Sequence, residues 1–94
     1  MQNTTLFLIQ SPYSQLDKMW ADLCQMAQAD DSIVIMGDAA LHIPQTILDR
    51  FSHLYCLSSE QSLLNVEIKE YVKIIEYTQF ADLVLHFDRC VTLK

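Results

Sequence analysis

The stretch Ser32-Ile33-Val34-Ile35-Met36-Gly37-Asp38 decides how this chain is read. Asp30 and Asp31 precede it, and bulky apolar residues then run without a break from Ile33 to Met36. The run stops at Gly37, the single glycine of the chain. A short apolar run rich in β-branched residues reads as a strand buried on both faces, and such strands belong to parallel sheets covered by helices. Gly37-Asp38 then lies at the carboxyl end of the strand, where open α/β sheets place their functional loops.

Upstream, Thr4-Thr5-Leu6-Phe7-Leu8-Ile9 is β-rich and predicts a first strand, followed by a loop at Gln10-Ser11-Pro12-Tyr13. Ser14 has the character of an N-cap, with Asp17 three residues on in a capping-box-like position. Leu16, Met19, Trp20, Leu23, Cys24, Met26 and Ala27 recur at helical spacing, with Asp17, Lys18, Asp22, Gln25 and Gln28 opposite. This predicts an amphipathic helix over about 15–29. Trp20, if at the margin of its apolar face, is a candidate interface anchor.

Downstream, 39–42 suits one helical turn, and Pro44 suits the first turn of a further helix carrying Ile43, Ile47, Leu48 and Phe51. His53-Leu54-Tyr55-Cys56-Leu57 reads as the third strand, with Ser58 or Ser59 capping a short helix after it. Ile68, Tyr71, Val72 and Ile75 fit a helix, whereas Val72 to Glu76 fits a strand. The strand is preferred, because β-branched residues cluster there and Thr78 then caps a helix carrying Phe80, Ala81, Leu83, Val84 and Phe87. Val91-Thr92-Leu93 is a short β-like tail. Alternating strands and helices predict a three-layer α/β/α fold with a mostly parallel sheet of four to five strands.

The length, 94 residues, predicts a single domain over 1–94. Hydrophobic residues make up 51% of it, more than a domain this small hides well, which favours association with other subunits. Twelve acids against six scattered bases leave a net charge of −6. No basic patch is readable, which argues against direct nucleic-acid binding. Neither a secretory signal nor a membrane span is read, and three cysteines at separations of 32 and 34 residues make no disulfide framework. A reducing, cytoplasmic setting is the expectation.

Chemistry is sparse. A phosphate cradle needs several glycines, and only Gly37 is present, so Gly37-Asp38 reads as a tight turn in which Asp38 caps the following helical turn. Cys24 falls on the apolar face of the first helix, Cys56 reads as buried in the third strand, and Cys90 as exposed. None lies at a helix amino terminus or beside an evident base. His42, His53 and His86 have no metal-ligand spacing, and no cofactor is expected.

Taken together, several of these residues resemble the DsrH/TusB family of sulfur-relay proteins. The resemblance rests on Thr5-Leu6-Phe7 with Ser11-Pro12-Tyr13, on the strand ending Gly37-Asp38-Ala39-Ala40, on Leu54-Tyr55-Cys56-Leu57 followed by Glu60, and on 74–80, Ile-Ile-Glu-Tyr-Thr-Gln-Phe. It implies a DsrE/F/H-like fold and a strand within 66–77. It also implies a structural, non-catalytic subunit of a sulfurtransferase complex. The partners would be TusC-like and TusD-like subunits of the same fold, assembled as a dimer of heterotrimers, with TusA-like and TusE-like carriers served through the complex. That complex supports 2-thiolation of the wobble uridine of certain tRNAs; the related DsrE, DsrF and DsrH proteins act in sulfur oxidation. Here the family's Asp-Gly step is replaced by Asp38-Ala39, the C-terminal aromatic of some relatives is absent, and the first-helix cysteine of DsrH-type members aligns with Leu23, one residue before Cys24. Cys24, and after it Cys90, are therefore the candidate sulfur acceptors under the alternative reading of a direct persulfide carrier. A third reading, a small nucleotide-binding α/β protein, lacks the glycine-rich loop it would need.

Overall fold

A computed structural model describes residues 5–10 and 12–93. Five strands form one sheet: β1 (Leu6–Ile9), β2 (Ser32–Ile35), β3 (His53–Leu57), β4 (Val72–Ile75) and β5 (Cys90–Leu93). Three α-helices connect them: α1 (Leu16–Met26), α2 (Gln45–Arg50) and α3 (Tyr77–Leu85). Single 3-10 turns lie at Tyr13–Gln15, Gly37–Leu41 and Ser58–Leu63. The spatial order is β4-β3-β2-β1-β5, and every pairing is parallel. The fold is thus three-layered α/β/α, and the stretch at 32–38 is its central strand with all four strand residues buried.

The order places the helices. From β1 to β4 the chain steps one way across the sheet, so right-handed crossovers put α1 and α2 on the same face. The step from β4 to β5 runs back past β1 and carries α3 to the opposite face. Phe7, Ile9, Ile33, Ile35, Leu54, Cys56 and Val72 pack with Leu16, Met19, Trp20, Leu23, Ile47 and Leu48 in one continuous core. Leu6, Val34, Leu57 and Ile75 are buried too but stand outside that core. They belong to the second face, as strand alternation requires. One helix of nine residues covers that face, and α3 has no buried residue.

Several local expectations are corrected by the packing. The first helix begins at Leu16, because the Gln15 amide bonds to the Pro12 carbonyl (3.0 Å) and closes a 3-10 turn that includes Ser14. Ser14 therefore does not cap it, and no side chain does. Met26 is exposed (49%) although its direction is within about 20° of Met19, because it is the last residue of α1, where the helix runs past the core that covers Leu16, Met19, Trp20 and Leu23. Trp20 is a core residue and not an interface anchor: it is 4% exposed, and its indole Nε1 donates to the His42 carbonyl at 3.2 Å. Pro44 stands one residue before α2, whose apolar side, Ile43, Ile47, Leu48 and Phe51, is buried as expected. Neither Ser58 nor Ser59 caps the 3-10 segment after β3, and Thr78 gives way to Glu76, which forms a reciprocal capping box with Gln79. The expected strand residue Thr4 and loop residue Ser11 lie outside the described residues.

At the amino edge of the sheet one buried carboxylate joins three segments. Asp31 Oδ1 accepts from the Thr5 amide at 2.9 Å, and Oδ2 accepts from the Gln28 amide at 2.8 Å. It thereby ties the start of β1 and the exit of α1 to the entry of β2. Hydrogen bonds to a charged group contribute about 1.5–3 kcal/mol, so Asp31→Ala is expected to destabilise the fold by about that amount, read as a lower urea midpoint with an unchanged m-value.

Candidate functional site

Parallel strands bring all their carboxyl ends to one edge, and the loops leaving β1, β2, β3 and β4 meet there. Gln10, Met36-Gly37, Leu57, Glu60 and Tyr77 come from those four exits, and with Leu8 and Phe80 they line a cleft of ≈ 580 Å³. Local chemistry builds it. Gly37 has φ of +61°, a left-handed conformation that a side chain resists, so the lone glycine stands where the chain turns out of β2. Its amide donates to Glu60 Oε2 from the neighbouring loop. The Met36 amide bonds to the Ile9 carbonyl at 3.0 Å and the Gln10 amide to the Leu93 carbonyl at 2.9 Å, so the rim continues the sheet ladder. Ser58 Oγ donates to Glu76 Oε2 at 3.0 Å, which links the exits of β3 and β4. Those two exits depart to opposite faces, the geometry that opens a crevice in an α/β sheet.

Asp38 was the expected cap of the turn after β2, and the structure assigns that work elsewhere. Asp38 is exposed, and no side chain caps the turn at its own N-cap position. The carboxylate that satisfies the turn's leading amide belongs to Glu60, 23 residues further on. The sequence signal for it was indirect: adjacent parallel strands place the residues following β2 and β3 side by side, and Glu60 is the acid that follows β3.

The cysteines do not reach this cleft. Cys56 is fully buried in the main core and its Sγ lies 3.6 Å from the Leu57 carbonyl. Burial, aided by the nearby Glu60 carboxylate, pushes its thiol up to about 11. Such a value leaves about one thiol in ten thousand ionised at pH 7. Cys24 is half-buried against the core in the last turn of α1, away from the helix amino terminus where amides gather round an anion. Cys90 is exposed at the start of β5, at the amino edge. Among the described residues no group of three or more His, Cys, Asp or Glu is placed to hold a metal, so His42, His53 and His86 do not converge on one. No helix among them is long and apolar enough to cross a membrane.

The cleft is therefore a recess with an apolar lining, two polar side chains (Gln10 and Glu60) and an exposed aromatic rim at Tyr77. Among the described residues no cysteine, serine or histidine lines it. In comparisons with known proteins, no family model and no curated sequence matches the chain.

Two measurements follow from these contacts. Glu60→Ala is expected to lower stability by about 1–2 kcal/mol through the loss of a charge-assisted hydrogen bond, whereas Asp38→Ala stays within about 0.5 kcal/mol of the parent; paired denaturation curves compare them. Alkylation of the native protein at neutral pH should modify Cys90 first, Cys24 more slowly and Cys56 only on unfolding. The folded state also holds the Cys56 proton more tightly than the unfolded chain, whose thiols titrate near ~8.5. The stability this contributes is complete below that value and is lost as pH rises toward about 11. Cys56→Ala should flatten that alkaline decline.

Proposed function

We propose that this chain is a DsrH/TusB-type subunit, with a DsrE/F/H-like fold, of a heteromeric sulfur-relay complex that supports 2-thiolation of the tRNA wobble uridine in the cytoplasm. Its role there is assembly rather than catalysis. One observation carries the reading. The residues on which the resemblance rests are scattered along the sequence, yet Gly37, Leu57, Glu60, Tyr77 and Phe80 line the same cleft. A parallel sheet gathers the residues after its strands at one edge whatever the family, and a parallel three-layer fold is common to many functions, so the weight rests on the resemblance of those residues, which share one recess.

The second face of the sheet supports a partner. α3 covers it without burying any of its own residues, and Tyr77 and Leu85 on that helix are 63% and 83% exposed. Large apolar side chains left exposed on a helix that buries none of its own residues suit a protein interface. TusC-like and TusD-like subunits would occupy it, with sulfur carried on a partner's cysteine and passed to and from TusA-like and TusE-like carriers. The alternative, a persulfide carried by Cys24 itself, draws on that side chain being partly reachable from solvent.

Co-expression of the tagged chain with TusC-like and TusD-like proteins tests the proposal. All three should elute together, in equal amounts, at the size of a heterohexamer. A lone monomer emerging in the presence of both partners overturns it. Intact mass after incubation with a cysteine desulfurase and its carrier should show no added sulfur on this chain; a sulfur adduct that Cys24→Ser removes would establish the alternative.

A further inference from the structure

The second sheet face holds a smaller pocket, distinct from the cleft at the carboxyl edge. Its volume is ≈ 270 Å³, and Tyr55, Lys73, Ile75, Gln79, Asp82, Leu83 and His86 line it. Tyr55 and Lys73 are register partners on β3 and β4. Gln79, Asp82 and His86 follow one another at spacings of three and four along α3, so they form a single polar shoulder above the sheet. In a chain that is 51% hydrophobic, five polar side chains meet here over an aliphatic floor of Ile75 and Leu83. A concave, partly apolar recess with a few convergent polar groups is what small-ligand sites share.

The charges point to a ligand class. Lys73 and Asp82 are of opposite sign and line the same recess, yet no ion pair joins them. A simple carboxylate would satisfy Lys73 and face Asp82 unfavourably, and a simple amine the reverse. A ligand with both groups satisfies both. His86 Nδ1 is 2.8 Å from the Asp82 carbonyl, which can only accept, so Nδ1 carries the proton and Nε2 is left toward solvent. Tyr55 and Gln79 add a hydroxyl and an amide. We propose that this pocket binds a small zwitterion with an aliphatic body, such as an aliphatic α-amino acid, its carboxylate on Lys73, its ammonium on Asp82 and its side chain over Ile75 and Leu83. The inference is independent of the subunit role proposed above.

Backbone-amide NMR of the full chain titrated with L-leucine tests it, with isovalerate and isopentylamine as single-charge controls. Leucine should produce saturable shifts at Tyr55, Lys73 and 79–86, with a Kd on the order of 1 mM, as befits exposed charges. Either control should bind about three- to fivefold more weakly, and Lys73→Met and Asp82→Asn should each weaken leucine by a similar factor. Both side chains are exposed, so each variant should keep a dispersed spectrum, which is checked before titration. Three results overturn the proposal: no saturable shift, controls that bind as well as leucine, or variants that bind it unchanged. In the last case, aggregation of Lys73→Met would identify Lys73 as a guard of the edge strand β4.

Discussion

Five short strands running the same way impose the constraint on which the rest of this structure depends. Each parallel pairing obliges the chain to return outside the sheet before the next strand can begin. Three of these returns lie on one face and one on the other, because β5 pairs beside β1 and not beyond β4. From that single placement follow the well-packed core under α1 and α2, the thinly covered face under α3, and the gathering of every strand exit at one edge.

That edge shows how the sheet and its loops hold one another. The turn after β2 needs a left-handed residue, and Gly37 supplies it without side-chain strain. The amide so exposed is met by Glu60 from the next loop, and Glu76 closes both its own capping box and a hydrogen bond to Ser58. Acids on the loops thus satisfy backbone donors or hydroxyls at that edge. The opposite edge works in the same way through Asp31, whose two oxygens take amides from two other segments. Asp31 and Glu60 reach amides 26 and 23 residues away, and Asp31 also takes the Gln28 amide three residues before it.

The two faces of the sheet have different chemistry for a physical reason. The first is closed by two helices and excludes water, and Cys56 there behaves as a small hydrophobe. The second carries Tyr55 and Lys73 beneath the polar shoulder of α3, so water and solutes reach it. A face that cannot be closed by its own chain is either wet or covered by another molecule.

What the sequence determined by itself was local and periodic. The apolar run 33–36, the limits of β3 at His53 and Leu57, and the buried stripe of α1 were legible because strand and helix periods are written in adjacent residues. Choosing a strand at Val72 to Ile75 was legible for the same reason, through its β-branched cluster. The capping assignments to Ser14, to Asp38, to Ser58 or Ser59 and to Thr78 failed because a cap is a competition among nearby acceptors, and where another group took the place it came from a proline-led turn, a neighbouring loop or two residues earlier in the chain. Only the tertiary structure decided that Glu60 serves Gly37, that Trp20 turns inward to His42, and that Tyr55 lies beside Lys73. These pairings depend on strand order and register, and a parallel sheet sets those through contacts between segments that no local pattern links.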